Sequence, residues 1–393
     1  MLEFGRPQAI IKALESAHLP AIVTIILMLY LLRRGNMFLS EKQTKLFLIL
    51  IAFMFFHIFT AINNYWAFNV WRTMILMFIV YLSLLSYIDS PDKYYTLIKF
   101  WVFIHLFLAI FGIAKGGRGI GGFLGDENDL CMTLNMAVPF SFYMAMTEKK
   151  VLKKIFYFIV TGIMVFTCIL TFSRGGFVGL VAVGGYIWIR SSRKVVFAII
   201  VAILAMAMIL LAPEKYGDRI LSITEQGTKS GTGRERLYTW GVAWDMFKGN
   251  PLFGVGQGNA RWEFREYEVE RGFEEGLLGR SRAGRAMHSV YFTLFPELGI
   301  FGTFLFGSMI FHLFKDTRRI RDKLKSKRTA SGGGTAVIDI DIASFLEASL
   351  VGFLVSGIFI STLYYPNFWI LMGFVVCCRR LVCGENEKRS SSY

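Results

Sequence analysis

Long runs of hydrophobic residues recur along most of this 393-residue sequence, separated by short polar segments. Most runs have roughly the 17 to 25 residues that an α-helix needs to cross a membrane. They lie near 19–34, 45–61, 68–88, 94–114, 130–147, 151–172, 175–190, 194–212, 288–314, 342–363 and 366–384. The pattern predicts an all-α, polytopic integral membrane protein with about 11 transmembrane helices, in a range of about 10 to 12.

One polar stretch is much longer than the other connections and divides the chain into three parts. Residues 1–212 are predicted to form an N-terminal transmembrane bundle of about eight spans. Residues 213–287 form the long loop, and residues 288–393 form about three more spans with a tail. The five cysteines lie in or beside spans, which excludes a disulfide framework in the loop and favours packing roles.

Lysine and arginine are distributed unequally between the two sets of alternating short segments. One set, including the tail after residue 378, carries 24 of them, and the other carries 5. Since basic loops are retained on the cytoplasmic side, the N-terminus and the long loop are predicted to lie outside and the C-terminus inside. Topology thus explains most of the net charge of +15. The loop itself, with 12 basic and 11 acidic residues, is near neutral and does not resemble a nucleic-acid-binding face.

The loop contains a segment that predicts a helix with cations at its start. A capping-box spacing before it and a Gly-Asn-Pro sequence after it place the helix over 233–248. Arg234 and Arg236 lie in its first turns, where free backbone N–H groups already favour anions, so the pair suits a phosphate or diphosphate. The alternative is that these arginines pair with glutamates of the loop, such as Glu225 or Glu263.

A histidine stands where the loop re-enters the membrane. A neutral imidazole at this boundary, His288, can accept a proton from an attacking hydroxyl. The nearby Arg285 would lower the pKa of the histidine and keep it neutral. The alternative is a hydrogen-bonded interfacial histidine without a catalytic role. Trp240 lies on the same helical face as Arg236, in an aromatic stripe that is able to rest on the membrane.

Three charged residues fall at membrane depth, where such residues are functional candidates by default. They are Arg72, Arg174 and Glu297. Snorkelling to the interface is the ordinary alternative for each. An acidic cluster at 126–129 suggests either a weak divalent site or a cap for the fifth span, and the cap is favoured. No metal site is predicted.

Several short motifs resemble those of the bacterial O-antigen ligase and O-antigen polymerase superfamily, and they occur in the same order. The motifs are Gly122-Phe123 with Asn128, Ser173-Arg174-Gly175, Arg236 to Trp240, Asn250-Pro251-Leu-Phe-Gly254-Val-Gly256-Gln-Gly258, His288-Ser-x-Tyr291 and Glu297-Leu-Gly299-Ile-Phe-Gly302. The resemblance spans most of the chain and is strongest over 173–302. Ser289 departs from it, because an asparagine usually follows the family's histidine.

The resemblance implies an integral-membrane glycosyltransferase of the GT-C-like type, with a long extracytoplasmic loop that contains helices. It implies transfer of a glycan from undecaprenyl diphosphate, without cofactor or metal, at the periplasmic face of the bacterial cytoplasmic (inner) membrane. The acceptor is lipid A–core oligosaccharide for a ligase, which is the first expectation, another lipid-linked repeat for a polymerase, or a protein hydroxyl for an O-oligosaccharyltransferase. Membrane lipids are further partners, and nucleic acid is not one.

The resemblance also implies roles for individual residues. His288 matches the family's loop histidine, the expected general base, and Arg236 matches the loop arginine, with Arg234 as the alternative register. The other residues are expected to bind the diphosphate (Arg174, Arg72 and Arg285) or to support the loop and the acceptor (Trp240, Tyr291 and Glu297). The competing class is a lipid-linked glycan flippase or transporter. It is disfavoured because the arginines cluster in and around the loop and do not line several spans.

Overall fold

The computed structural model describes residues 4, 19–35, 38–190, 194, 232–271, 283–330 and 341–384. This part of the chain contains helices and loops but no strand. Its helices are α1 (Leu19–Arg34), α2 (Lys42–Thr60), α3 (Asn64–Tyr87), α4 (Pro91–Ala114), α5 (Glu127–Thr147), α6 (Val151–Leu170), α7 (Arg174–Arg190), α8 (Thr232–Gly249), α9 (Ala260–Glu270), α10 (Tyr291–Ala330), α11 (Ile342–Ser356) and α12 (Pro366–Cys383). A 3₁₀ turn, Gly122–Leu124, lies before α5.

The predicted all-α membrane architecture is confirmed. Seven helices, α2 to α6, α10 and α12, are long and apolar enough to cross a membrane. Three shorter ones, α1, α7 and α11, have 16, 17 and 15 residues and occupy other predicted spans. The predicted span at 194–212 lies outside the described residues, as do residues 213–231 and 272–282 of the long loop.

Two predicted spans have different ends in the structure. The tenth, predicted over 342–363, ends as a helix at Ser356. Gly357 ends it, and the carbonyl of that glycine accepts a hydrogen bond from the backbone N–H of Val290 at 2.7 Å. Residues 357–365 remain hydrophobic although they are a loop. The ninth span continues past its predicted end at 314 to Ala330, because the lysines and arginines that follow are good helix formers.

Helices α5 and α12 form the centre of the bundle, and 89% of each apolar span is buried. Around them, α5 packs on α4, α6, α7 and α11, while α12 packs on α3 and α10. The buried amide of Asn135 on α5 donates to the carbonyl oxygen of Gly176 at 2.7 Å and to Ser356 Oγ at 3.2 Å. These bonds join α5, α7 and α11 and pair the buried amide N–H groups, which would be costly to leave unsatisfied.

Helix α10 is kinked at Gly299, which has φ 60° and ψ −162°. The kink frees two carbonyl oxygens that an unbroken helix would pair with N–H groups four residues later. Residues of the loop before α9 take their place. The N–H of Val255 donates to the Pro296 carbonyl oxygen at 2.8 Å, and the N–H of Gly256 donates to the Glu297 carbonyl oxygen at 2.9 Å.

The two N–H groups beyond the kink are paired with the same loop. Ile300 N–H donates to the Pro251 carbonyl oxygen at 2.8 Å, and Phe301 N–H donates to the Leu252 carbonyl oxygen at 3.1 Å. Loop residues 251–256 thus replace both hydrogen bonds that the kink removes. In a membrane protein such exchange is required, because unpaired backbone groups cost several kcal/mol in an apolar medium.

The close fit at the kink predicts a large difference between two glycine substitutions on α10. A Cβ at residue 299 would lie 2.6 Å from the Leu252 carbonyl carbon, on a backbone with φ +60°, whereas a Cβ at Gly307 would meet nothing within 4 Å. We expect Gly299→Ala to destabilise the protein by about 1–3 kcal/mol. Gly307→Ala should be neutral or stabilising by up to about 1 kcal/mol. The apparent thermal midpoints in detergent measure the difference, and equal midpoints would contradict the account of the kink.

Candidate functional site

A cavity of about 510 Å³ opens at the end of the bundle where the loop before α9 docks. This is the end that the charge distribution predicts to be external. One wall comes from α3 and is mainly apolar, with Trp66, Val70 and Met77. Charged and polar groups also line the cavity, among them Asp126, Asp129, Arg261, Arg285, His288, Ser361 and Tyr364. The cavity is therefore amphipathic.

His288 lines this cavity on a backbone with φ +50°, a left-handed conformation that residues other than glycine adopt infrequently. The chain is anchored on both sides of it. Trp240 Nε1 donates to the carbonyl oxygen of Met287 at 2.9 Å, and Val290 N–H bonds to Gly357. The Trp240 ring also stacks on Phe292, with ring centroids 5.0 Å apart and planes 8° from parallel. A strained backbone conformation persists only where the surrounding structure holds it. Such conformations are frequent at functional sites.

Ser289, which replaces the asparagine usual in the family, has a structural role. Its side chain is buried, and its Oγ accepts a hydrogen bond of 3.4 Å from the N–H of Phe292. This bond caps the start of α10. The Ser289 N–H also donates to Ser361 Oγ at 3.3 Å, which ties the start of α10 to the loop after α11.

The surroundings of His288 favour its neutral form. Burial in the cavity lowers the pKa of the imidazole, and the positive charges of Arg236 and Arg285 lower it further. The negative charge of Asp126 opposes this effect and raises the pKa. The imidazole is therefore available as a proton acceptor at neutral pH.

Arg236 belongs to the same group of charges. It lies half-buried on α8, with its guanidinium 6.0 Å from the centroid of the Phe359 ring. Burial lowers its pKa, Asp126 raises it, and the positive charge of Arg174 at the start of α7 lowers it. Arg236 and His288 thus lie within electrostatic range of each other and of Asp126, although Arg236 and Arg174 are not among the residues that line the cavity. An arginine remains charged after a moderate pKa decrease.

The glutamate-pairing alternative receives no support from the part of the loop that is described. Helix α8, predicted over 233–248, spans Thr232–Gly249, and neither Arg234 nor Arg236 forms an ion pair with a described residue. Glu225 lies outside the described residues. The side chain of Arg234 is exposed, and it does not line the cavity.

Other predicted residues differ in their distance from the cavity. Arg285 lines it, whereas Arg72 is exposed on α3 and does not. The hydroxyl group of Tyr291 donates to the carbonyl oxygen of Leu354 at 2.9 Å, so this tyrosine joins α10 to α11. It supports the fold next to His288 and is not among the residues that line the cavity.

Glu297 is a buried connector between two loops that line the cavity. Its Oε2 accepts a hydrogen bond from the Gly258 N–H at 2.7 Å and another from the Tyr364 hydroxyl at 2.7 Å. The carboxylate therefore fixes both the loop before α9 and the loop after α11 to α10, two residues before the kink. The snorkelling alternative does not fit this residue, because its side chain points into the protein.

The acidic cluster before α5 has the capping role that the sequence favoured. Asp126 Oδ1 accepts from the N–H of Asn128 at 2.8 Å. Ser173 Oγ donates to Asn128 Oδ1 at 2.6 Å and accepts from the Gly176 N–H at 2.9 Å, which caps α7. Among the described residues no group of three His, Cys, Asp or Glu side chains is arranged to hold a metal ion.

Two features of the cavity were not anticipated from the sequence. Arg261, the second residue of α9, lines the cavity and lies 5.1 Å from the centroid of the Trp66 ring. A cation in the first turn of a helix is the signal that singled out Arg234 and Arg236, and it applies here too. The other feature is the loop after α11, which contributes Ser361 and Tyr364 but was interpreted as the end of a span.

Comparison with known proteins identifies a family that part of the chain matches. Residues 159–307 match the family model described as O-antigen ligase. The matched segment runs from α6 to the middle of α10 and includes His288, Arg236, Arg174 and Glu297. The resemblance that the motifs indicated is thereby confirmed. No curated protein matches the chain.

The charge environment of His288 predicts its titration behaviour. We expect the imidazole to titrate below its ordinary pKa of 6.5. Arg236→Gln should raise the pKa because it removes a positive charge, whereas Arg234→Gln, two residues away on the same helix, should leave it unchanged. NMR of protein with labelled histidines measures the pKa, and the signal lost in His288→Asn assigns the residue. A midpoint at or above 6.5, or equal shifts in both arginine variants, would contradict the assignment.

Proposed function

Because residues 159–307 carry the O-antigen ligase family match, we propose that this protein transfers a glycan from undecaprenyl diphosphate to the hydroxyl of an acceptor. The reaction takes place in the cavity at the periplasmic face of the bacterial cytoplasmic membrane. The observation that carries the proposal is the position of His288 on this cavity, with its pKa lowered by burial and by Arg236 and Arg285.

The amphipathic shape of the cavity supports a lipid-linked diphosphate as the donor. The apolar wall of Trp66, Val70 and Met77 belongs to α3, a helix long enough to cross the membrane, so a prenyl chain is able to approach along it. The cavity lining also offers Arg261 and Arg285 to an anion. Arginine binds phosphate oxygens through charge-assisted hydrogen bonds that are stronger than neutral ones.

His288 acts as the general base. Its imidazole accepts the proton of the acceptor hydroxyl while the hydroxyl oxygen attacks the anomeric carbon of the donor glycan. The bond between this carbon and the diphosphate oxygen breaks, and its electron pair leaves with the diphosphate. Attack from the opposite side inverts the anomeric centre, and the proton on His288 then passes to solvent or to the diphosphate.

The arginines stabilise the charge that develops on the leaving group. Arg236 and Arg285 lie close enough to His288 to lower its pKa, and Arg174 acts on Arg236 in the same way. Fixed positive charges in a partly dry cavity stabilise a growing anion without having to reorganise. This arrangement supplies the electrostatic part of catalysis without a metal ion. Arg234 and Arg72 are exposed, so they are weaker candidates for donor binding than Arg236 and Arg285.

Ligase activity on lipid A–core oligosaccharide is the first candidate for the acceptor reaction. Polymerase activity on a second lipid-linked repeat and transfer to a protein hydroxyl are the alternatives, because all three reactions share the donor chemistry. Purified protein reconstituted in vesicles is to be given the lipid-linked glycan on the outer side, with and without lipid A–core. A new glycosidic bond that requires lipid A–core identifies a ligase, and chain elongation without it identifies a polymerase. Movement of the donor without bond formation would instead indicate a flippase.

The base assignment predicts the effect of replacing His288. We expect His288→Asn to lower the transfer rate by about 10²–10⁴-fold, because positioned proton transfer contributes a factor of this size. Asparagine also tolerates the left-handed backbone, so the fold should persist. The thermal midpoint and the binding of donor report on folding separately from the rate. Transfer at the wild-type rate by the folded variant would eliminate His288 as the base.

The transfer rate of the wild-type protein should fall when the pH is lowered from neutrality and should not change when the pH is raised. The neutral imidazole is the active form and the pKa of His288 is lowered, so transfer should be constant from about pH 7 upward and fall as the pH drops through that pKa. In Arg236→Gln the maximal rate should fall and the midpoint of this limb should move to higher pH. Arg236→Lys should keep the midpoint near the wild-type value. A midpoint unaffected by removal of the Arg236 charge would contradict the coupling.

A further inference from the structure

A second cavity, of about 450 Å³, lies at the opposite end of the bundle, which the charge distribution predicts to be cytoplasmic. It is formed by the start of α2, the middle of α10 and the end of α12. Five basic side chains line it, together with two carboxylates: Lys42, Lys315, Arg319, Arg379, Arg380, Glu41 and Asp316. None of these residues takes part in the proposed transfer reaction.

The inner part of this cavity is built from buried arginines held by the two carboxylates. Arg379 contacts Glu41, and its Nε lies 3.4 Å from Asp316. Arg380 Nε lies 3.7 Å from Glu41, and its Nη1 donates to the carbonyl oxygen of Leu85 at 2.6 Å. Both carboxylates are thus engaged with arginines. These contacts fix the positions of the guanidinium groups. They also offset the desolvation free energy that each charge would cost if it were buried alone.

The outer part of the cavity is cationic. Lys42, Lys315 and Arg319 are exposed, and their three charges all act on the ring of His312. Neither Lys42 nor Lys315 forms an ion pair with a described residue. Arg319 forms a loose pair with Asp316, because its Nη1 lies 4.0 Å from Asp316 Oδ1. Five cations against two carboxylates leave an excess positive charge that favours an anionic ligand.

A lipid-facing apolar surface continues from the cavity toward the middle of the membrane. Helices α2 and α10 pack together, and beyond the cationic residues they expose Leu48 at 43%, Phe311 at 64% and Phe304 at 69%. Phe311 lies four residues before Lys315, about 6 Å along α10 and on the same side of the helix, and Phe304 lies seven residues before Phe311 on that side. Acyl chains attached to a group in the cavity would meet these side chains.

We propose that this cavity binds the phosphate headgroup of an anionic glycerophospholipid, of the phosphatidylglycerol or cardiolipin class, in the cytoplasmic leaflet. The cations supply the contacts to phosphate, and the exposed side chains of α2 and α10 contact the acyl chains. Basic pockets between transmembrane helices on this side are suited to such headgroups. The bound lipid would join α2, α10 and α12 at the inner end of the bundle.

The test measures binding of phosphatidylglycerol to the delipidated full-length protein by native mass spectrometry, without donor or acceptor. The variant K42Q/K315Q/R319Q removes the three exposed cations and keeps Arg379 and Arg380. We expect about fivefold weaker binding for each charge removed, since a basic residue near the surface contributes about 1 kcal/mol. The matched control R318Q/K323Q/K325Q removes three exposed cations of α10 that do not line the cavity, and it should bind like wild type.

Two further ligands separate a lipid from other anions. Phosphatidylcholine should bind more weakly than phosphatidylglycerol, and soluble glycerol 3-phosphate should not compete at similar concentration, because it lacks acyl chains. Equal binding by the two triple variants, or by the two lipids, would overturn the proposal. Effective competition by glycerol 3-phosphate would also overturn it, and would indicate a site for a soluble phosphate. Since no transfer is measured, this result is independent of the proposed glycosyltransferase activity.

Discussion

The exchange of backbone hydrogen bonds at the kink of α10 is the constraint on which the site depends. Gly299 breaks the helix, and residues 251–256 of the long loop pair with both carbonyl oxygens and both N–H groups that the break leaves unpaired. Without the loop these groups would face an apolar region unpaired. Without the kink the loop would have no partner at this depth. The loop and the helix therefore fold as one unit, although more than 40 residues separate them in the sequence.

The docking of this loop determines where the reactive groups stand. From the docked segment the chain enters α9 and brings Arg261 to the cavity, while Glu297 holds Gly258 and Tyr364 to α10. On the other side Trp240 of α8 holds the carbonyl of Met287. His288 therefore belongs to a segment fixed by α8, α10 and the loop after α11, and it keeps its left-handed backbone because these contacts leave no other conformation. Hydrogen bonds of Met287, Ser289 and Val290 hold the chain on both sides of His288 and support its left-handed conformation.

The sequence predicted the parts of this structure that depend on local patterns. Hydrophobic runs located ten spans that are now described as helices, and the capping pattern located α8 within one residue at each end. It did not reveal that residues 357–365 are a loop, because their hydrophobicity suits a cavity wall as well as a lipid-facing helix. Arg261 was missed for a similar reason. Its approach to the cavity depends on the docking of residues 251–256, a contact between distant parts of the chain.

The motifs of the family resemblance acquire a physical meaning when they are placed on the structure. The glycine-rich segment and the segment around Gly299 are the two partners at the kink, so each requires the other. A Cβ at Gly254 would lie 2.5 Å from the Glu297 carbonyl carbon, which explains why a glycine is needed there. These glycines therefore serve backbone packing, and in the proposed function phosphate binding falls to the arginines. The two ends of the bundle also differ in how their described arginines are paired with carboxylates. At the end with the second cavity, Glu41 and Asp316 engage the buried arginines, whereas Arg236 and Arg285 near His288 form no ion pair with a described residue. Positive charge that is left without an ion pair among the described residues is what the anionic leaving group of the proposed reaction requires.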